Sequence, residues 1–271
     1  MPEGSVDLTI TGPIAYIELN QPSRRNALHW DMWVQLGQCA KTLSETPGVR
    51  VAIVSGRGDH FSSGMDLSMD NPAVQRLAPA MLAKDETAAR DLIRDLKSFI
   101  QAVADLPIPT IAAIEGACVG GGMEVALGCD IRVAATDAQF ALNEVHAGMV
   151  PDLGGTVRVT RIAGQGRAAD LILTARRIAA PEAQEWGIVQ RTCAPGEARK
   201  TAESIAEQIL ANAPIAVSKA LSTIRATPDL SEEAALDLET EAGVAALTSG
   251  EPAVGIQAFL AKKRPDWTKV N

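Results

Sequence analysis

The chain has 271 residues, 46% of them hydrophobic and 21% charged, with a formal net charge of -8 and a pI near 5.0. This composition supports a substantial buried core and excludes a disordered chain. Its acidic balance argues against a nucleic-acid partner but leaves room for a local basic pocket.

Val6, Leu8 and Ile10 alternate with polar residues, Gly12-Pro13 turns the chain, and Ala15, Ile17 and Leu19 alternate again, predicting a hairpin. Asn26 reads as the N-cap of a helix whose stripe is Leu28, Met32, Leu36, Ala40 and Leu43, ended by Pro47-Gly48. Val49 to Val54 predicts a strand, and residues 55–70 a loop leading into a short helix. Asn71 to Lys84, with Pro72 and Pro79, lacks a clear period and reads as an irregular insertion. Asp85 to Ala104 predicts a helix with Leu92, Leu96, Phe99, Ile100 and Val103 as its apolar stripe. Thr110–Ile114 and Ile131–Ala134 predict strands, so strands alternate with helices in an α/β pattern. From residue 198 strand signals vanish and helices are expected over 199–211, 215–226, 231–249 and 253–263. The division is therefore a mixed core over 1–197 and a helical subdomain over 198–271.

The segment Met1 to Ile10 lacks the pattern of a secretory leader, and no apolar run is long enough to span a bilayer. Cys39, Cys118, Cys129 and Cys193 form no C-x-x-C pair and read as free thiols in a reducing cytoplasm, the expected location. His29, His60 and His146 lack metal-ligand spacing, so no metal is expected.

Two glycine-rich segments follow strands: Gly56 through Leu67, and Gly116 through Glu124. The second runs through Gly120-Gly121-Gly122 into a short helix expected over Gly121–Leu127. Glycine permits close approach to a ligand, and a helix N-terminus presents free N–H groups, so the pattern suits a phosphate or a developing oxyanion. Neither segment carries G-x-G-x-x-G or Gly-Lys-Ser/Thr, and no G-x-S-x-G is present, so dinucleotide, P-loop and serine-hydrolase readings fail. Tight packing of helix on strand is the plainer use of such glycines. Glu124 adjoins the glycines, Glu144 follows the next strand, and Asp152 precedes Gly154-Gly155. Singly, each reads as a solvated surface charge.

In order, Phe61-Ser62-Ser63-Gly64-Met65-Asp66-Leu67, Ile111 through Gly116, Gly120 through Leu127, Cys129-Asp130-Ile131, Phe140 to Glu144, Gly148, Pro151, Gly154-Gly155-Thr156 and Arg158 resemble the crotonase (enoyl-CoA hydratase/isomerase) family. The resemblance covers nearly the whole chain. It implies a ClpP/crotonase-like spiral of ββα repeats with a C-terminal helical region, assembled as trimers or paired trimers. It implies an acyl-CoA thioester substrate, with coenzyme A as part of the substrate and no separate cofactor. The N–H groups of Met65 and Gly121 would form the oxyanion hole. Asn20 through Leu28 resembles the family's coenzyme-A-contacting stretch. Arg24, Arg25, Ala27, Ser63, Asp66, Leu67 and Gly120 are expected to bind substrate, as are Phe259 and Lys262, the latter pair often across a subunit boundary.

Glu124 and Glu144 match the two glutamates with which the resembling hydratases (lyases of fatty-acid metabolism) hold a water for addition to a 2-enoyl-CoA. Glu124 is expected to act mainly as the base, its ionised form favoured by the helix N-terminus, and Glu144 mainly as the acid. Neighbouring carboxylates repel, so one should hold a raised pKa and the pair should titrate together. Asn143 stands where hydratases usually carry proline and Asp152 where they usually carry glycine. A third acid there is similar to dienoyl-CoA isomerases, which usually carry aspartate at the position of Glu124. Hydratase is the leading reading, and the alternatives are an enoyl- or dienoyl-CoA isomerase and a non-catalytic acyl-CoA-binding protein. Residue by residue, Asp66 reads more readily as a helix cap and Arg158 as structural. His146 reads as packed or solvent-facing, Trp30 and Trp33 as core or interface, and Arg24 and Arg25 either as phosphate contacts or as a solvated face.

Overall fold

The computed structural model describes residues 4–270; Met1 to Glu3, part of the segment read for a leader, and Asn271 lie outside the described residues. β1 (Ser5–Thr11) and β2 (Ile14–Asn20) form the expected hairpin, paired from Ser5 against Asn20 to Thr11 against Ile14. Alternation places Ala15, Ile17 and Leu19 on one face of β2, and all three are fully buried. The chain continues through α1 (Trp30–Ser44), β3 (Val51–Gly56), α2 (Pro72–Ala83), α3 (Glu86–Ala104), β4 (Thr110–Ile114), β5 (Ala117–Val119), α4 (Gly121–Gly128), β6 (Ile131–Ala135) and β7 (Gln139–Ala141). Next come α5 (Gly155–Ala163), α6 (Gln165–Leu173), β8 (Ile178–Ala179), α7 (Ala180–Glu185), β9 (Arg191–Cys193), α8 (Ala198–Leu210), α9 (Pro214–Ala226), α10 (Glu232–Leu247) and α11 (Glu251–Leu260).

The larger sheet runs β1-β2-β3-β4-β6-β9, parallel from β2 onward, and the smaller runs β5-β7-β8. Two successive turns of the chain, β4-β5-α4 and β6-β7-α5, each lay one strand in the large sheet, a short strand in the small one, and then a helix. Each is a ββα unit. Parallel strands covered on both faces need apolar residues at every position. β4 accordingly reads Thr-Ile-Ala-Ala-Ile, buried throughout. Leu36, Leu96 and Ile100 from α1 and α3 join the cluster on one side with Ala52, Val54 and Ala112. Ala198, Ala202, Ile205 and Ala206 of α8 cover Val51, Ile53, Ile111 and Val133 on the other. α8, the first helix of the expected C-terminal subdomain, thus packs on the sheet.

Two expectations are corrected here. Asn26 does not cap α1, which begins at Trp30 after His29. Asn26 is fully buried with φ +54, and its side chain accepts from Gln21 N–H and donates to the carbonyls of Arg57 and His60. It is a clasp between two loops that meet only in the fold. The supposedly irregular Asn71–Lys84 segment is α2. The Asn71 side chain accepts from Ala73 N–H, and Pro72, with φ preset for a first turn, opens the helix. Pro79 sits within it, and the helix buries Ala73 and Ala80 on its inner side.

Trp33 is fully buried, and Trp30 packs edge-on to Phe99 at a centroid distance of 6.0 Å. No helix among the described residues is long and apolar enough to cross a membrane.

Candidate active site

Segment 24–28 and segment 62–66 zip together. Ser63 N–H donates to Arg25 O at 2.9 Å, Leu28 N–H to Gly64 O at 2.7 Å, and Asp66 N–H to Leu28 O at 3.1 Å. This pairing leaves the Met65 N–H with no acceptor among the described residues. The N-terminus of α4 lies against the same segment. A Cβ placed on Gly121 would sit 3.8 Å from Met65 N, and one placed on Gly64 would sit 3.4 Å from Gly121 N. The Gly121 N–H, in the first turn of α4, likewise has no acceptor among the described residues. The two amides expected to act together are therefore neighbours.

Glu124, one turn into α4, is 2% exposed. Its Oε1 accepts from Leu153 N–H and Gly155 N–H, both at 2.8 Å. Only glycine fits at 155, since a Cβ there would lie 2.9 Å from that same oxygen. Burial pushes the Glu124 carboxyl up to about 8; the Gly155 N–H opposes the rise, and Glu144 and Asp152 add to it. The helix N-terminus favours the ionised form of Glu124, and burial acts in the opposite direction as the largest influence on this carboxyl.

Glu144 opens the 3-10 turn Glu144–Ala147 after β7. Both its oxygens are buried and have no hydrogen-bond partner among the described residues, and Oε1 lies 3.3 Å from where a Cβ on Gly120 would stand. Burial raises its pKa, and Asp152 raises it further. The Asp152 carboxyl is also raised by burial, against a lowering influence from Lys97. Three acids with raised proton affinities thus lie beside the paired amides, with Asp152 acting on both glutamates and Glu144 on Glu124.

The expected substrate-binding residues divide. Arg24, Arg25, Ala27, Ser63, Asp66 and Leu67 come together on the lip formed by the two zipped segments, with Gly120 facing it. Asp66 caps no helix; its carboxylate pairs with Arg24 at 2.8 Å and accepts from Ser68 N–H, and these bonds hold its pKa low against burial. Phe259, on α11, and Lys262, just beyond it, have no bond or cluster contact with this lip among the described residues, and Phe259 is 81% exposed. His146 is exposed. Sequence reasoning did not find the Leu153 and Gly155 amides as partners of Glu124, although the adjoining Gly154-Gly155 pair was visible. It also did not place the Asn143 side chain, whose Oδ1 lies 4.0 Å from the same point above Gly120.

A sequence profile described as Enoyl-CoA hydratase/isomerase matches residues 9–270. The chain belongs to the enoyl-CoA hydratase/isomerase family. Within that family it is 32% identical to the peroxisomal Delta(3,5)-Delta(2,4)-dienoyl-CoA isomerase of Arabidopsis thaliana, over 95% of this chain and 93% of that protein. It is 33% identical to an enoyl-CoA hydratase of Mycobacterium tuberculosis, over 94% of this chain and 93% of that one. The crystal structure of an enoyl-CoA hydratase from Bacillus anthracis superposes with a TM-score of 0.86 at 33% identity, covering 97% of this chain and 98% of that one. The crotonase fold expected from the sequence is therefore the fold observed. Relatives at similar identity carry both hydratase and isomerase names, so similarity alone does not choose between the two reactions.

Proposed function

We propose that this family member is an enoyl-CoA hydratase that adds water across the 2,3 double bond of a 2-trans-enoyl-CoA. The observation that carries the reading is the Glu144 carboxyl, whose oxygens are buried and without a hydrogen-bond partner among the described residues, set across Gly120 from the paired amides and within the field of the Glu124 site. In this reading the thioester oxygen sits on the Met65 and Gly121 N–H groups. Glu124 takes a proton from water, and the water oxygen bonds to carbon 3. The electrons of the double bond move onto the thioester as an enolate held by the two amides. Glu144 then gives its proton to carbon 2, and proton exchange with solvent resets both acids. One such amide contributes about 3 kcal/mol to lowering the barrier.

A base must be ionised, so kcat/KM rises with pH through about 8, the Glu124 value. A rate that falls through that value would exchange the roles of the two glutamates. The direct test follows the conjugated thioester absorbance of crotonyl-CoA. Glu124→Gln and Glu144→Gln should each lose on the order of 100-fold or more in turnover while still binding acyl-CoA. Full activity in either variant refutes the pair.

Asp152 favours a second reading. Its charge acts on both glutamates, as a third acid would in moving protons along a conjugated chain. A gain of conjugated absorbance from a 3-enoyl-CoA, without loss of the crotonyl-CoA band, would identify an isomerase. Binding with neither change would identify an acyl-CoA-sequestering protein. We also read the C-terminal helices as a trimer or hexamer interface, through which Phe259 and Lys262 of another copy reach the coenzyme-A lip.

A further inference from the structure

The turn that donates to Glu124 has an outer side as well as an inner one. Inward, Leu153 N–H and Gly155 N–H meet the carboxyl. Outward, the carbonyl of Leu153 accepts from Arg158 Nη1 at 3.3 Å. Arg158 lies in α5, and its backbone N–H also bonds Gly154 O at 2.9 Å. Its Nη2 reaches α3 and donates to Gln101 Oε1 at 2.9 Å. The guanidinium lies so close over Gly154 that a Cβ there would collide with Nη1. One planar fork therefore ties the turn to two helices that flank the site, a task for which a rigid guanidinium suits and a flexible ammonium does not.

We propose that Arg158 is a positioning residue for Glu124, clamping the Leu153–Gly155 turn so that its two N–H groups stay aimed at the carboxyl while adding a fixed positive charge behind them. The proposal rests on the acid–base reading of Glu124 given above. The charged and titratable groups facing this arrangement are Glu124 and Cys129 from α4 and its end, and Asp105 from the end of α3, all acting on Arg158. Glu144 and Asp152 act on Glu124, and Lys97 on Asp152. Burial lowers the Arg158 pKa, and Glu124 opposes that, so the cation and the acid are within each other's field. Removing the guanidinium takes away both a cation and the constraint on two donors. Each loss favours the neutral acid, so both move the titration of Glu124 upward.

The test follows the protonated-carboxyl infrared band of Glu124, identified as the band missing from Glu124→Gln, against pH. Arg158→Gln should raise its midpoint by about one pH unit, a tenfold change in proton affinity, with the acid limb of kcat/KM for crotonyl-CoA moving in step and KM unchanged. A lowered melting temperature with an unchanged midpoint would show Arg158 to be structural only and overturn the proposal. So would the absence of any Glu124 band at neutral pH. Should Arg158→Gln fail to fold, Arg158→Lys carries the test. A single ammonium cannot span Leu153 O and Gln101 Oε1, so a smaller upward shift is expected, and none overturns the clamp. Full turnover by Glu124→Gln is a separate failure, of the acid–base reading itself.

Discussion

α4 and α10 both carry alanine, valine and leucine, yet they end in opposite environments. Every residue of α4 is buried, whereas α10 buries none of its sixteen. α4 is enclosed by its own chain, with Trp33, Ser62, Ile100 and Glu144 approaching its glycines or their flanks. α10 lies along α9 and leaves Leu236, Val244 and Leu247 at least half exposed, all towards one side by helical spacing. On α11, Ile256, Phe259 and Leu260 are exposed as well. The site-bearing helix is enclosed by its own chain, whereas the C-terminal helices leave apolar side chains exposed. Exposed apolar residues grouped in this way are the physical ground for the intersubunit contact proposed above.

The sharpest probe of the enclosed helix is Gly122→Ala. A Cβ there would stand 2.6 Å from Ser62 Cβ and 2.9 Å from Ser62 O, so the N-terminus of α4 must move away from the Met65 segment. Turnover should fall on the order of 100-fold, as for loss of one oxyanion donor, with a stability loss of about 1–3 kcal/mol read from denaturant midpoints. Unchanged turnover would mean that the two amides do not act together.

A smaller effect with a definite sign concerns Glu124. Its folded pKa lies near 8, above the ordinary carboxylate value, so the folded state binds the extra proton between those pH values. Unfolding free energy therefore declines as pH rises from about 4.5 to about 8, and the full penalty, on the order of a few kcal/mol, persists above. Glu124→Gln keeps an acceptor for the two N–H groups but cannot ionise. It should melt above the parent protein at about pH 9 and match it near pH 5. Parallel curves would show that burial does not penalise this carboxylate.

The exposed helix calls for the reverse outcome. Leu236→Glu combined with Leu247→Glu should leave the circular dichroism spectrum and intrachain stability within about 0.5 kcal/mol per position, while sedimentation velocity shows a smaller assembly. A cooperative loss of folded structure would place α10 inside the folding unit of the core.

Much of this was legible beforehand. The hairpin, α1 and α3 follow from apolar spacing, which reports burial directly, whereas the four C-terminal helices were legible from the loss of strand signals after residue 198. α2 was not legible, because Pro72 and Pro79 read as breakers until Asn71 is seen capping the helix and Ala73 and Ala80 seating it. β5, β7, β8 and β9 have two or three residues each, too short for alternation to register. Asn26 was given the wrong task because a buried loop clasp and an N-cap use the same side chain.

Residue type and order alone determined the family, the acids and the glycines through which backbone amides could meet a thioester. These are properties of motifs, which survive without coordinates. Only the tertiary structure decided which oxygen meets which amide, how far burial outweighs a helix dipole at Glu124, and that Arg158 stands behind the donor turn. Those depend on desolvation and on distances between segments up to 57 residues apart, Gln101 to Arg158 among them, and no local pattern encodes either.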